Sequence, residues 1–225
     1  ITINGTSTGG NSGVILTGIV GEVSSVTGAI QITGMTSGGS GAEDGVAISN
    51  DVRSTGSATI TINGTTTGGG GSDSDGVRFS GTSATTQVSS AGGDISITGT
   101  TAGGGTAGDG VEIEAGLTEA IQATNGASIT ITGTGDGADS GVQIDSPITS
   151  ATGDVTIQSD DGDSATDNID FGPAGDITST SGTVTIDGDN AGNTANVNMV
   201  DGTLIDAGSG IIDVDADVNV TLGGL

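Results

Sequence analysis

The residues with the most obvious chemistry are carboxylates set immediately before glycine. Asp44-Gly45, Asp75-Gly76 and Asp109-Gly110 recur at spacings of 31 and 34 residues, each just ahead of a short apolar–polar–apolar triplet. Ser12-Gly13, Ser140-Gly141 and Asp167-Asn168 hold the same place elsewhere in the chain. Like charges stacked at such intervals are unfavourable unless a cation or hydrogen bonds compensate them. Two chemistries fit. Carboxylate and carbonyl oxygens in a row could hold weakly bound calcium, a hard cation that takes oxygen ligands. Alternatively Asp-Gly is turn chemistry, with the carboxylate solvated and screened, and this is the expected case. The candidate calcium ligands are Asp44, Asp75, Asp109, Asp160, Asp161, Asp163, Asp187 and Asp189. Recognised calcium motifs stop short of these positions. Gly68-Gly69-Gly70-Gly71-Ser72-Asp73 opens like the calcium nonapeptide G-G-x-G-x-D, but Asp75 stands where an apolar residue is needed, and nothing recurs every nine residues. No acidic cluster has the spacing and terminal Glu of the twelve-residue calcium loop. No other cofactor is expected.

Catalysis needs groups that this chain lacks. Glycoside hydrolysis uses two carboxylates at a set separation, one with a raised pKa, and Asp160-Asp161 could supply such a pair. Nothing is present to grip a sugar, however. The chain has no His, no Lys and two aromatic residues, Phe79 and Phe171, both at positions expected to face inward. Arg53 and Arg78 are the only cations and fall on different strands of successive repeat units, so a lyase's charge neutraliser is missing too. No catalytic residue is assigned and the chain is not expected to be an enzyme. A net charge of −26 excludes nucleic-acid binding, which needs a basic surface. An anionic membrane surface would repel the chain, and no apolar run approaches the ~20 residues of a spanning helix. With no cysteine there is no disulfide framework.

The elements that position these residues are written as a repeat. First strands of alternating apolar and polar residues start at Ile1, Ile30, Ile60, Ile95, Ile129, Val155, Val184 and Ile212, at spacings of 26 to 35 residues. In the clearest unit, Ile129-Thr130-Ile131-Thr132 closes on Gly133. Second strands follow at Val14, Val46, Val77, Val111, Val142, Ile169 and Val197, with middle residues expected in water. Third strands start at Val23, Val52, Val88, Ile121, Ile148, Ile177 and Ile205. Two residues into each lies Ser25, Ser54, Ser90, Ala123, Ser150, Ser179 or Ala207, predicting a tapered corner with no room for a branched side chain. The step from third strand to next first strand is always 7 or 8 residues, whereas the other two steps absorb insertions. Regular self-similarity at this period marks a stacked-unit architecture.

The predicted fold is therefore all-β: a parallel β-helix with three short strands per coil and seven to eight coils of roughly 30 residues. At about 4.8 Å per coil the rod would be about 35 Å long. Five or so buried aliphatic side chains per coil, at roughly 1.5–3 kcal/mol each, do not offset roughly 1–2 kcal/mol of backbone entropy per residue. Stability must therefore come from contacts between coils. Residues 1–225 are expected to form one uncapped solenoid segment, belonging to a longer chain or an end-to-end assembly.

The unit [I/V]-T-I-x-G … D/S-G-V-x-[I/L/F] … [I/V]-x-S-x-x-G resembles the repeats of filamentous-haemagglutinin-type proteins, the large β-helical surface adhesins and exoproteins of bacteria. That resemblance implies a right-handed helix, secretion to the medium or cell surface, and a role as an extended stalk or adhesive surface. The expected partners are further copies of the chain, end to end or side by side, and surface glycans or proteins. A rival reading comes from the outward pairs Thr2/Asn4, Gln31/Thr33, Thr61/Asn63, Ser96/Thr98 and Thr130/Thr132. A flat ladder of this type can match ice or another regular crystalline surface. A polysaccharide-active β-helix enzyme is the more remote alternative.

Overall fold

The computed structural model describes every residue except 19–20, 40, 70–73, 82–86, 103–107, 136–138, 160–167, 189–194 and 224–225. The described residues contain β-strands and no helix. First strands span Thr2–Ser7, Ile30–Gly39, Ile60–Gly69, Ile95–Ala102, Ile129–Thr134, Val155–Ser159, Val184–Gly188 and Ile212–Ala216. Second strands span Val14–Leu16, Val46–Ile48, Val77–Phe79, Val111–Ile113, Val142–Ile144, Ile169–Phe171, Asn196–Met199 and Asn219–Thr221. Third strands span Val23–Ser25, Val52–Ser54, Val88–Ser90, Ile121–Ala123, Ile148–Ser150, Ile177–Ser179 and Ile205–Asp206. Each set forms one sheet in chain order, of eight, eight and seven strands, and every pairing between neighbours is parallel. The molecule is thus a parallel β-solenoid. Seven rounds of three strands are followed by the two strands of a partial eighth coil.

Register follows from which face is buried, because a one-residue slip would turn every aliphatic side chain outward. Ile32 stands on Ile62, Ile62 on Ile97, Ile97 on Ile131, and so up the stack. The inward column is closed to water: Ile32, Ile62, Ile97, Val77, Phe79 and Ile121 are all 0 % exposed. Both phenylalanines lie inside, as the alternation requires.

One local expectation needs correction and another is extended. The alternating pattern closes each first strand on its glycine, but in coils two to four the strand runs well past it, to Gly39, Gly69 and Ala102. The glycine is instead a crossing point. An added Cβ on Gly64 would lie 1.8 Å from the carbonyl oxygen of Gly76, and the same clash recurs at Gly34 against Gly45 and Gly99 against Gly110. Only two facing residues without side chains let the first and second strands of a coil come this close. The serines of the third strands also do more than fit a taper. Ser25 Oγ donates to Gly28 O at 2.6 Å, Ser179 Oγ accepts the Gly182 amide at 3.0 Å, and Ser90 Oγ bonds Gly93 in both directions. The hydroxyl closes the constant-length corner by the side-chain-to-backbone bonding that makes serine a turn residue.

Candidate functional site: a buried carboxyl column

Beyond the glycine crossing, coils two to four enclose a second, polar compartment beside the aliphatic core. One wall is a hydroxyl column at inward positions of the first strands, with Thr36 stacked on Thr66 and Thr66 on Thr101. These threonines are buried and donate to carbonyls across the gap: Thr36 Oγ1 to Asn11 O (2.9 Å), Thr66 Oγ1 to Asp75 O (2.6 Å) and Thr101 Oγ1 to Gly108 O (2.9 Å). The other wall is the Asp-Gly series. Asp44 is 4 % exposed and Asp75 1 %, and Glu43 and Ser74 beside them are also buried.

The carboxylates act as rungs between coils. Asp44 Oδ1 accepts the Asp75 amide at 3.1 Å, Asp75 Oδ1 accepts the Asp109 amide at 2.8 Å, and Asp109 Oδ1 accepts the Ser140 amide at 2.8 Å. Ser12 Oγ begins the series by accepting the Asp44 amide at 3.0 Å. Ordinary ladder bonds run alongside, from Gly45 N–H to Asp75 O and from Gly76 N–H to Asp109 O. Sequence reasoning brought these three aspartates together correctly but left their carboxylates in solvent. Asp44 and Asp75 are inside and Asp109 is half-buried, because each satisfies a backbone N–H that the column would otherwise bury unpaired.

Among the described residues the cation near this column is Arg78, on the outer face of the second sheet. Its Nε lies 3.3 Å from Glu112 Oε2, directly above it in register, and 2.9 Å from Glu114 Oε1. Burial sets the electrostatics. Desolvation pushes the Asp44 carboxyl up to about 6, against the opposing amide of Asp75. Asp109 is pushed up to about 7 by burial, against the Ser140 amide and with the charges of Glu112, Asp139 and Asp170 adding to the rise. Asp75 is driven farther above the carboxylate range, first by burial, then by Glu112, Asp44 and Asp109. Burial thus favours the protonated form in all three, most strongly in Asp75.

Of the other candidate ligands, the described one does not join them. Asp187 sits on the outer face of the first sheet in coil seven, its Oδ2 accepting Gln158 Nε2 at 3.4 Å. Asp160, Asp161, Asp163 and Asp189 lie outside the described residues. Among the described residues no three acidic side chains are grouped to hold a metal ion. Sequence reasoning missed Glu43, Glu112, Glu114 and the threonine column. A usable signal was present, because the paired glycines of coils one to five give way together, to Ser159 and Asn168 in coil six. There an asparagine spine takes over the second-strand glycine positions. Asn168 Oδ1 accepts both the amide and Nδ2 of Asn196 at 3.0 Å, and Asn196 Oδ1 accepts Asn219 Nδ2 at 3.1 Å.

Compared with known proteins, the chain matches no family model, no curated protein and no solved structure.

Proposed function

We propose that this chain is a structural segment of an extracellular or cell-surface protein: a stalk, a fibre, a surface-layer scaffold or the shaft of an adhesin. One observation carries the reading. Three parallel hydrogen-bond ladders run through consecutive coils along a single axis, the arrangement that gives stiffness in that direction. The repeat pattern's resemblance to filamentous-haemagglutinin-type proteins supports the placement outside the cell. Acidic side chains on the flanks keep such a rod hydrated and discourage sideways association. Association with further copies end to end belongs to this reading.

The test is a binding and turnover screen of the purified chain. It is expected to retain no member of a glycan array and to release no reducing ends from a panel of polysaccharides. Specific retention would make it an adhesive tip, and turnover would make it an enzyme; either overturns the scaffold reading.

One feature favours a second reading, contact with ice or another crystalline surface. Despite the overall charge, the outward positions of the first sheet carry no charged residue through coils one to six, where they are Thr, Asn, Gln, Ser, Met and Ala. The first acid there is Asp187. Thermal hysteresis in a freezing-point assay would establish this reading, and freezing indistinguishable from an inert acidic protein would remove it.

A further inference from the structure

Within the carboxyl column one atom has nothing to bond. Asp75 is 1 % exposed and its Oδ1 accepts the Asp109 amide, but its Oδ2 is fully buried with no hydrogen-bond partner. Its hydrogen-bonding neighbour is the Glu112 carboxylate of coil four, whose Oε2 lies 3.3 Å from Arg78 Nε. Two carboxylates cannot bond each other, because each offers only acceptors. A single proton between them resolves this: it gives Oδ2 a hydrogen to donate and leaves one negative charge for Arg78 to neutralise. Two carboxyls that share a site do not both ionise readily, since each charge raises the pKa of the other.

We propose that Asp75 and Glu112 share one proton, carried on Asp75 Oδ2, and that this O–H···O⁻ bond fastens coil three to coil four beside the polar compartment. The surroundings favour retention. Asp44 below, Asp109 above and Glu43 alongside are all acidic, Asp139 and Asp170 lie beyond Asp109, and Glu114 occupies part of Arg78. Arg78 is the single positive group among them, too few to balance an ionised Asp75. When the proton departs to solvent, a buried Asp75 charge faces the half-buried Glu112 charge across the coil boundary. The fastening is then lost, while the aliphatic column beside it stays closed. The polar flank thereby becomes a pH-sensitive seam in an otherwise uniform stack.

The deciding measurement is a carboxyl-carbon NMR titration of the aspartate- and glutamate-labelled chain. We expect one coupled pair of signals that keeps a proton at pH 7 while solvent-exposed carboxyls have titrated, and its absence in Asp75→Asn and in Glu112→Gln. In Asp75→Asn the amide donates to Glu112 without a proton, so the urea midpoint at pH 8.5 should rise above the wild type and change less with pH. The unfolding equilibrium moves about tenfold for each pH unit over which the wild-type pair stays protonated only when folded. Titration of every wild-type carboxyl below about pH 5 overturns the proposal even if the variants fail to fold. Equal destabilisation of Asp75→Asn at all pH values does so too. Calcium at pH 8.5 raising the wild-type midpoint, but not that of Asp75→Asn, would place a cation where we place the proton and would also overturn it.

Discussion

Asp44 and Asp109 each give an oxygen to an amide of the coil above, yet burial holds them at about 6 and about 7. In the unfolded chain both titrate near 3.9, so between those values the folded state binds more protons. The stabilisation from these two groups is complete below about pH 4 and is lost as pH rises through 6 and 7. A series of urea midpoints should therefore decline from pH 4.5 to pH 8, and Asp109→Asn should flatten the upper part of the decline. Exposed rungs of the same design behave more simply. Asp154 Oδ1 accepts the Thr183 amide at 2.8 Å on the surface, where water can replace it. Asp154→Ala is expected to cost about 0.5–1.5 kcal/mol in equilibrium unfolding.

The glycine crossing fixes how closely two strands of one coil approach, and it supplies a matched pair of substitutions. Gly64→Ala would drive a methyl into the Gly76 carbonyl, whereas the nearest atom to a methyl on Gly188 is the tip of Val197 at 3.4 Å. Overpacking of this type costs about 1–3 kcal/mol or more. The melting midpoint followed by far-ultraviolet circular dichroism should fall for Gly64→Ala and hold for Gly188→Ala. Strand starts and inward positions were legible because a buried aliphatic face enforces strict alternation, as in Ile95-Ser96-Ile97. The run of strand beyond Gly34 and Gly64 was not. Glycine and threonine in series read as a turn when their partners lie across the coil rather than along the chain. The burial of Asp75 was hidden for the same reason. Asp-Gly looks identical whether its carboxylate meets water or the amide of the next coil.

For the molecule as a whole, a net charge of −26 means that folding compacts charges that repel one another. Raising ionic strength from about 0.01 M to 0.15 M shortens the screening length from about 30 Å to about 8 Å, and the melting midpoint should rise accordingly. Millimolar calcium at matched ionic strength is expected to add nothing further, since the column's Oδ1 atoms already serve amides. An added rise would mean a cation held away from these Oδ1 rungs, and its loss in Asp75→Asn would put that cation at Asp75 Oδ2.

The rungs also have a sense. Asp44, Asp75, Asp94, Asp109, Asp154, Asn168 and Asp176 each receive an amide from the following coil. Every one of these side chains therefore leaves an acceptor in position for its successor. A nascent chain threading out amino-terminus first would find these seven acceptors already set, while Ser74, Ser146 and Asp139 wait on the later coil for amides of the earlier one.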